Sequence, residues 1–467
     1  MAPRRRYSVI RDPVHGDVYL TDEELRVLDT AEMQRLRGIK QLGSAHLVYP
    51  GAVHTRFDHS IGCLHVAARI VEAANRCAEL DPAACLGIGD GEARVIRIAA
   101  LVHDVTHIPF GHSIEDQDGI FARHDSAARF EHMLSPATGL GRVLRELGLA
   151  SDVLAILTAS HEGKEGADLG RAAVPPSWVQ IVSGTIAADI LDYLARDAYF
   201  TGLKLSVDPR VTSYFKVDRA TGNLYIDLAK HELLREDILS EVVRMLEARY
   251  YFSERVYYHH AKVSAGALVA RAVELALGAG LLREQDFWDA TDASILERLV
   301  RAAERGTREV RERVRGLVER YQGRRLYKRA CVYPRSENEH VQEDLVARYF
   351  ASGGRAARIE AERRIVDLVR FATGREVDVI VYCPAKRMQL KEARIHVRWP
   401  GRPGVEPLAS FAARVPRLAD LERAYRDLWK FYVYVDSDDP GAIAAVQEAA
   451  AQEFAGARNV YSIARRE

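Results

Sequence analysis

The stretch Leu101-Val102-His103-Asp104-Val105-Thr106-His107-Ile108-Pro109-Phe110-Gly111-His112 constrains this chain more than any other. Its first half continues an apolar stripe at helical spacing (Val95, Ile98, Ala99, Leu101, Val102), so the segment belongs in a core. A helix of that kind ending in His, Asp, His and His puts imidazole nitrogens and a carboxylate at a buried terminus. That donor mixture suits a borderline first-row metal such as Mn, Fe, Co, Ni or Zn. His103 and Asp104 are adjacent and cannot both face the apolar side, but at a frayed helix end they can reach one ion from two directions. Many of the 16 histidines fall in three stretches: His54 to His65, His103 to His124, and His259-His260. A single such histidine reads ordinarily as a core or capping residue. The cluster as a whole does not.

Charge and composition narrow the rest. With 66 basic and 66 acidic side chains the 467 residues carry no formal net charge, which argues against a dedicated nucleic-acid coat. At 48% hydrophobic the chain can bury a large core, so disorder is excluded. The length allows two or three domains, or one large helical body with an appendage. No apolar run approaches the roughly 18 residues that a spanning helix needs, so no membrane partner is expected. The basic opening MAPRRRYSVIRDPVHG lacks the apolar stretch of a secretory leader. The five cysteines form no CxxC pair, so neither a disulfide framework nor a structural zinc site is expected, and a cytoplasmic location is.

Along the chain, Asp12 to Gly16 reads as a turn and Thr21 to Gly43 as a polar helix opened by the capping-box spacing Thr21/Glu24. Further helices are expected over 58–79, 91–104, through Leu134, and 144–161. One long helix is expected over Pro176 to Phe200, stopped by Gly202, with helical pattern again over 227–278 and 291–319. The runs 377–382 and 431–435, with 394–399 weaker, read as strands, and a last helix spans 439–455. The fold expected is mainly α: a helical metal-binding body over residues 1–320, its core at about 45–205, then a smaller C-terminal α+β region over 321–467.

Asp189, Tyr193 and Asp197 lie at i, i+4 and i+8 and share one helix face beside the stripe Ile186, Ile190, Leu194. Such a ladder is unusual for a solvated face. Asp192 and Arg196 make a separate i,i+4 pair that reads as structural.

Taken in order, Arg56-Phe57-Asp58-His59-Ser60, His103-Asp104 and Asp189-x-x-Asp192-Tyr193-x-x-Arg196-Asp197 resemble the HD-domain phosphohydrolases, specifically their deoxynucleoside triphosphate triphosphohydrolase branch. The likeness extends to Asp12 to Gly16, Gln34 to Arg37, Gln41-Leu42-Gly43, Tyr49 to Ala52 and Arg255-Val256-Tyr257-x-His259, over about the first 265 residues. The resemblance implies an all-helical HD core holding one divalent metal (Mn, Fe, Co, Ni, Zn, or Mg) through His59, His103, Asp104 and Asp189. It implies His107 and His124 beside the scissile phosphate, Asp125 orienting His124, and His112 at the α-phosphate. Arg56 and Arg249 match phosphate-binding arginines, and Gln41 and Asp197 match groups that bond the 3′-hydroxyl. Leu42 and Tyr257 match residues that crowd out a 2′-hydroxyl, and Tyr193 packs under the sugar. The implied reaction is water attack at the α-phosphorus of a nucleotide substrate, giving deoxynucleoside and tripolyphosphate. Asp29, Gln34 and Arg37 match an activating-nucleotide site at an interface of a homo-oligomer; the plainer reading is helix-surface polarity.

Two departures bear on this. The family's triphosphate-gripping lysine is Ile190 here, and the glycine of its HDxGH motif is Thr106. The acidic Glu115, Asp116 and Asp118 also follow His112, where they would repel a polyanion if they face the cavity. A phosphohydrolase removing phosphates stepwise from nucleoside mono-, di- or triphosphates, or from a modified nucleotide, is therefore the alternative. A non-catalytic nucleotide sensor is a third reading, and would predict a lost ligand. The arginines from Arg301 to Arg325 could track nucleic-acid phosphates, but interspersed glutamates make a solvated, ion-paired helix the simpler reading. Ser160-His161-Glu162-Gly163 is a faint echo of an HE motif.

Overall fold

A computed structural model describes residues 7–117, 120–159, 174–205, 207–351, 353–385 and 394–461; Asp118 and the Ser160–Gly163 stretch lie outside them. The fold is mainly α with small sheets. Among the described residues no helix is long and apolar enough to cross a membrane.

The chain opens with a hairpin, Tyr7–Asp12 against Gly16–Thr21, whose turn is the expected Asp12 to Gly16. Asp12 shapes it by accepting the amides of Val14 and His15 at 2.9 and 2.8 Å. The capping box forms as read: Thr21 takes the Glu24 amide and Glu24 takes that of Thr21. The helix it opens is short, however, covering Asp22–Leu28 and followed by Ala31–Arg35 and a tight turn Leu36–Gly38. Gly43 stops no helix; at φ +52° it starts the turn Gly43–Leu47.

At the centre lies the 25-residue helix Arg56–Leu80. It packs against Asp90–Val102 on one side and Ala188–Thr201 on the other. The second crossing is close because position 62 is glycine: a Cβ there would collide with the Asp192 carboxylate and the Arg196 guanidinium. The expected long helix over 176–200 is two, Pro176–Ser183 and Ala188–Thr201, with extended backbone at Gly184 and Ala187. Gly202 does end the second, in the left-handed conformation at φ 72°. The 144–161 segment likewise divides into Gly139–Glu146 and Ala150–Ala159 around Gly148, where φ is +72°.

The expected helical pattern over 227–278 begins instead with strands. Leu224–Asp227 is fully buried and lies in a four-stranded sheet in the order 406–407, 396–398, 224–227, 215–217. A four-residue buried strand is apolar on both faces, so periodicity cannot separate it from buried helix. Helices Glu236–Phe252 and His260–Gly278 follow, joined by a single π-helical turn, Ser253–Tyr257. The 291–319 segment is Asp292–Ala303 and Arg308–Gln322. After residue 320 the three expected strands form, as Val379–Tyr382, His396–Arg398 and Lys430–Val435, with Lys328–Pro334 and the short Glu406–Pro407 unforeseen. Lys430–Val435 is the middle of an antiparallel sheet between Lys328–Pro334 and Val379–Tyr382. The last helix, Pro440–Glu453, is capped by Asp439. This later region shares a sheet with the body through Tyr225 to Asp227 paired with His396 to Arg398.

Adding one methyl group at the tight crossing tests it. Gly62→Ala is expected to destabilise the fold by about 1–3 kcal/mol through overpacking, read as a lower Tm in thermal unfolding.

Candidate metal centre and active site

Four side chains from three segments converge beside the central helix. Thr55 and Asp58 cap that helix reciprocally, with the Asp58 carboxylate taking the Thr55 amide at 2.8 Å. Asp58 is thus a capping residue, and its cap fixes the first turn that carries Arg56 and His59. His59 is fully buried, and its Nδ1 donates to Asp192 at 2.7 Å. Its other nitrogen, Nε2, stands 3.1 Å from Asp189 Oδ1 and 3.8 Å from Asp104 Oδ2, the orientation a metal-ligating imidazole needs. His103 caps the Asp90–Val102 helix, its Nδ1 donating to the Ala100 carbonyl at 2.8 Å. Its Nε2 points into the same space, 3.4 Å from Asp104 Oδ1 and 3.8 Å from Asp189 Oδ1. Asp189 stands in the first turn of Ala188–Thr201, where the helix dipole favours a carboxylate.

These donor atoms fit a metal. Ligands at about 2.0–2.2 Å from one ion stand roughly 3–3.5 Å from each other, close to the separations seen. The buried His103 Nε2 has no hydrogen-bond partner, an arrangement a coordinated ion would satisfy. Burial would raise the Asp104 carboxyl, but Arg56, donating to it at 2.6 Å, and the imidazoles of His107 and His103 hold it well below the usual range. Asp189 is likewise lowered against the cost of burial by bonds to His103 and His59. Both present the charged form a cation needs. Cys63 Sγ, 3.5 Å from His59, adds a soft atom at the rim that the sequence reading did not single out.

Asp192 and Arg196 form the expected pair, two bonds of 2.9 Å, but the pair is not separate from the site. Asp192 also accepts from His59 and, at 2.6 Å, from His15 Nε2, while Arg196 reaches Asp12 Oδ2 at 2.9 Å. Asp192 and Arg196 are at 0% exposure, and Asp12 and His59 are buried with them, while His15 is half-buried.

His103, Asp104 and Asp189 form one wall of a cavity of about 650 Å³, within the usual size of a small-molecule site, with His59 buried behind them. A second wall is histidine. His107 and His124 stack at 3.6 Å between ring centroids, and His112 meets both edge-on. Phe110 sits in the left-handed region at φ 58°, making the sharp turn that brings His112 round to His107. A Cβ on Gly111 would crowd His107 Nδ1, so the neighbouring glycine has a packing reason. Burial, with Arg56 and His124 nearby, keeps His107 well below its ordinary pKa and so neutral at pH 7. The hydrogen bond that orients His124 comes from Glu115, at 2.8 Å to Nδ1, and Arg129 fixes Glu115 in turn at 2.6 Å. Asp125, expected in that place, accepts from Arg123 at 3.2 Å. Glu115 is thus a buried, paired carboxylate rather than a free repelling charge, and Asp116 is paired with Arg123 at 3.0 Å. Thr106 is buried with its hydroxyl unbonded.

The third wall carries Gln41, Leu42, Tyr193, Asp197, Arg249 and Tyr257. Asp197 accepts from His54 Nε2 at 2.8 Å and from the Tyr257 hydroxyl at 2.7 Å. Gln41 Oε1, Arg56 Nε and Arg249 Nη1 are buried without partners. Ile190 is buried in the apolar cluster behind this wall, so no cation stands at its position. Tyr382, Pro384, Ala385 and Tyr425 from the C-terminal region complete the cavity, as does Lys262. None of these five was singled out by sequence, because no local pattern joins them to the histidines.

Asp29, Gln34 and Arg37 are not in this cavity. Arg37 donates to Gln34 at 2.8 Å and lies 3.5 Å above the Phe57 ring, while Asp29 is exposed.

Two family models match: the HD domain over residues 56–197 and the HD associated region over 230–456. The chain is an HD-domain protein. It is 31% identical over 331 residues to an uncharacterized protein of Methanocaldococcus jannaschii, MJ1154, covering 70% of this chain and 60% of that one. It is 32% identical over 273 residues to the deoxynucleoside triphosphate triphosphohydrolase SAMHD1 of Bos taurus, covering 54% and 44%. The chain therefore spans less than two thirds of these relatives' own lengths. A crystal structure of a hypothetical protein from Aquifex aeolicus shares the fold, with a TM-score of 0.63 at 20% identity, over 95% of this chain and all of that one. The HD pair itself is His103-Asp104, and the matched HD region runs from Arg56 to Asp197, the two ends of the cavity described above.

Since Asp192 sets the tautomer of His59, Asp192→Asn is expected to weaken metal affinity by about 10–100-fold, measured by competition with a chelator.

Proposed function

We propose that this HD-domain protein is a metal-dependent phosphohydrolase that converts deoxynucleoside triphosphates to deoxynucleoside and tripolyphosphate. One observation carries the reading: unpaired donors and acceptors (His103 Nε2, Arg56 Nε, Arg249 Nη1 and Gln41 Oε1) belong to residues lining one cavity with the Asp104 and Asp189 carboxylates and a histidine stack. Such orphaned groups are expensive unless a ligand completes them.

His59, His103, Asp104 and Asp189 would hold the metal, which supplies a Lewis acid for the phosphoryl oxygen and lowers the pKa of a bound water. Arg56, fixed by Asp104, keeps Nε for an α-phosphate oxygen, and Arg249 is free for a more distal one. The stacked His107–His124 pair, its His124 oriented by Glu115, takes or gives the proton as water adds at phosphorus and the bond to the 5′-oxygen breaks. His112 faces that oxygen as donor. Asp197, already held by His54 and Tyr257, and Gln41 Oε1 receive the 3′-hydroxyl. Tyr193 supports the sugar, and Leu42 with Tyr257 leaves no room for a 2′-hydroxyl. The exposed Asp29 and Arg37, with the half-buried Gln34, form an activating-nucleotide site at the interface of a homo-oligomer.

One observation favours a second reading. Ile190 gives the cavity no cation where triphosphate grip is expected, which suits stepwise removal of phosphates from shorter or modified nucleotides. A nucleic-acid role has no comparable support, because Arg308, Arg313, Arg315 and Arg320 are paired with Glu312, Asp378, Glu304 and Asp436.

Phosphorus NMR of the products from a mixture of deoxynucleoside triphosphates, with and without GTP, separates these readings. Tripolyphosphate is the expected product, and acceleration by GTP would support the Asp29 site; orthophosphate transfers the case to the stepwise reading. His103→Ala and Asp189→Ala are each expected to abolish both bound metal and turnover, and full activity in either would refute the ligand set.

A further inference from the structure

The cavity lining also holds charged groups that the proposed reaction does not use, among them Lys262 and Asp116, the latter beside Arg123 and His112. Asp189 and Asp197 are eight residues apart on one helix, so about 12 Å separates the metal end from the Asp197 end. Lys262 belongs to the far end: it donates to the Tyr257 carbonyl at 3.0 Å, and the Tyr257 hydroxyl bonds Asp197. Among the described residues that carbonyl is its one hydrogen-bond partner, and no carboxylate lies within ion-pair distance. Burial pushes its pKa down to about 8, with Asp197 and Asp116 opposing the shift, so Lys262 is charged at neutral pH.

Asp116 reaches this wall from the next element. The His260–Gly278 helix and the Gly111–Glu115 turn are in close contact at Gly266, where a Cβ would meet Ser113 Oγ at 2.7 Å. Lys262 lies one helical turn before Gly266, and Asp116 three residues after Ser113. Both line the cavity, with Phe121, Tyr258 and Tyr382 as flat walls beside them. If the sugar sits at Asp197 and the α-phosphate at the metal, the base can only lie on this side.

Resting on the deoxynucleotide reading, we propose that Lys262 and Asp116 read the nucleobase, selecting one that presents a carbonyl oxygen beside a ring N–H. An ammonium only donates and a carboxylate only accepts. Guanine offers O6 with N1–H, and thymine O4 with N3–H. Adenine and cytosine present the inverse, an amino group beside a bare nitrogen, and match neither protein group in that register. Discrimination from such a pair amounts to roughly tenfold to a hundredfold.

The test compares kcat/KM for dGTP, dTTP, dATP and dCTP, alongside calorimetric binding of the four parent deoxynucleosides to the metal-loaded protein. The wild type is expected to favour the guanine and thymine compounds in both measurements. Lys262→Met should lower those two and leave the others nearly unchanged, and Lys262→Gln, whose amide oxygen accepts, should raise adenine relative to guanine, a gain that misfolding does not produce. Hydrolysis of all four without preference, or a uniform loss in the variants, overturns the proposal while the phosphohydrolase reading stands. Selective nucleoside binding without hydrolysis does the opposite, and absence of both removes the two together.

Discussion

The buried carboxylate of Asp192 is the point on which the rest of this molecule depends. It accepts four hydrogen bonds, two from Arg196 and one each from His59 and His15. Through them it joins three pieces of chain: the N-terminal hairpin, the central helix and the helix that carries Asp189. A buried ion pair of this kind adds little net stability over an apolar equivalent, yet removing one partner leaves an uncompensated charge and costs about 3–5 kcal/mol. Its value here is positional. By engaging Nδ1 of His59 it turns the other nitrogen toward Asp189, Asp104 and His103. Gly62 permits the close helix crossing that makes this contact possible.

From that node the cavity is assembled by breaks in regular structure. The helix ending at Val102 releases His103 and Asp104. A left-handed Phe110 folds His112 back over His107. Extended backbone at Gly184 and Ala187 allows a new helix to start just before Asp189, placing that carboxylate at a helix N-terminus. The π-helical turn Ser253–Tyr257 lets Tyr257 reach Asp197. Each irregularity costs local backbone stability, and each coincides with a group that faces the cavity. Residues from the C-terminal region close the remaining side, so chemistry and enclosure come from opposite ends of the chain.

Much of the site was legible because its information is local. The His103-Asp104 pair at the end of an apolar stripe, the Asp189–Tyr193–Asp197 face and the capping box at Thr21 each depend on a few neighbouring residues, and all three appear in the structure. Strands 379–382 and 430–435 and the final helix were legible for the same reason. What was misread involves partners distant in sequence. Asp125 lies next to His124, but Glu115 is the carboxylate that bonds it. Ile186, Ile190 and Leu194 keep a four-residue period straight through the break at Gly184 to Ala187, so the pattern conceals the break. Leu224–Asp227 is buried on both faces and carries no alternation to mark it as a strand.

The sequence alone therefore determined the helical class and the face on which the aspartates stand, because helix geometry converts residue spacing directly into direction. Tertiary structure alone decided which nitrogen of His59 faces Asp189, which carboxylate bonds His124 Nδ1, that Asp192 bonds His59 and that Lys262 shares a cavity with the histidines. Those are facts of contact between segments up to two hundred residues apart, and periodicity along a chain holds no record of which distant segment will pack against it.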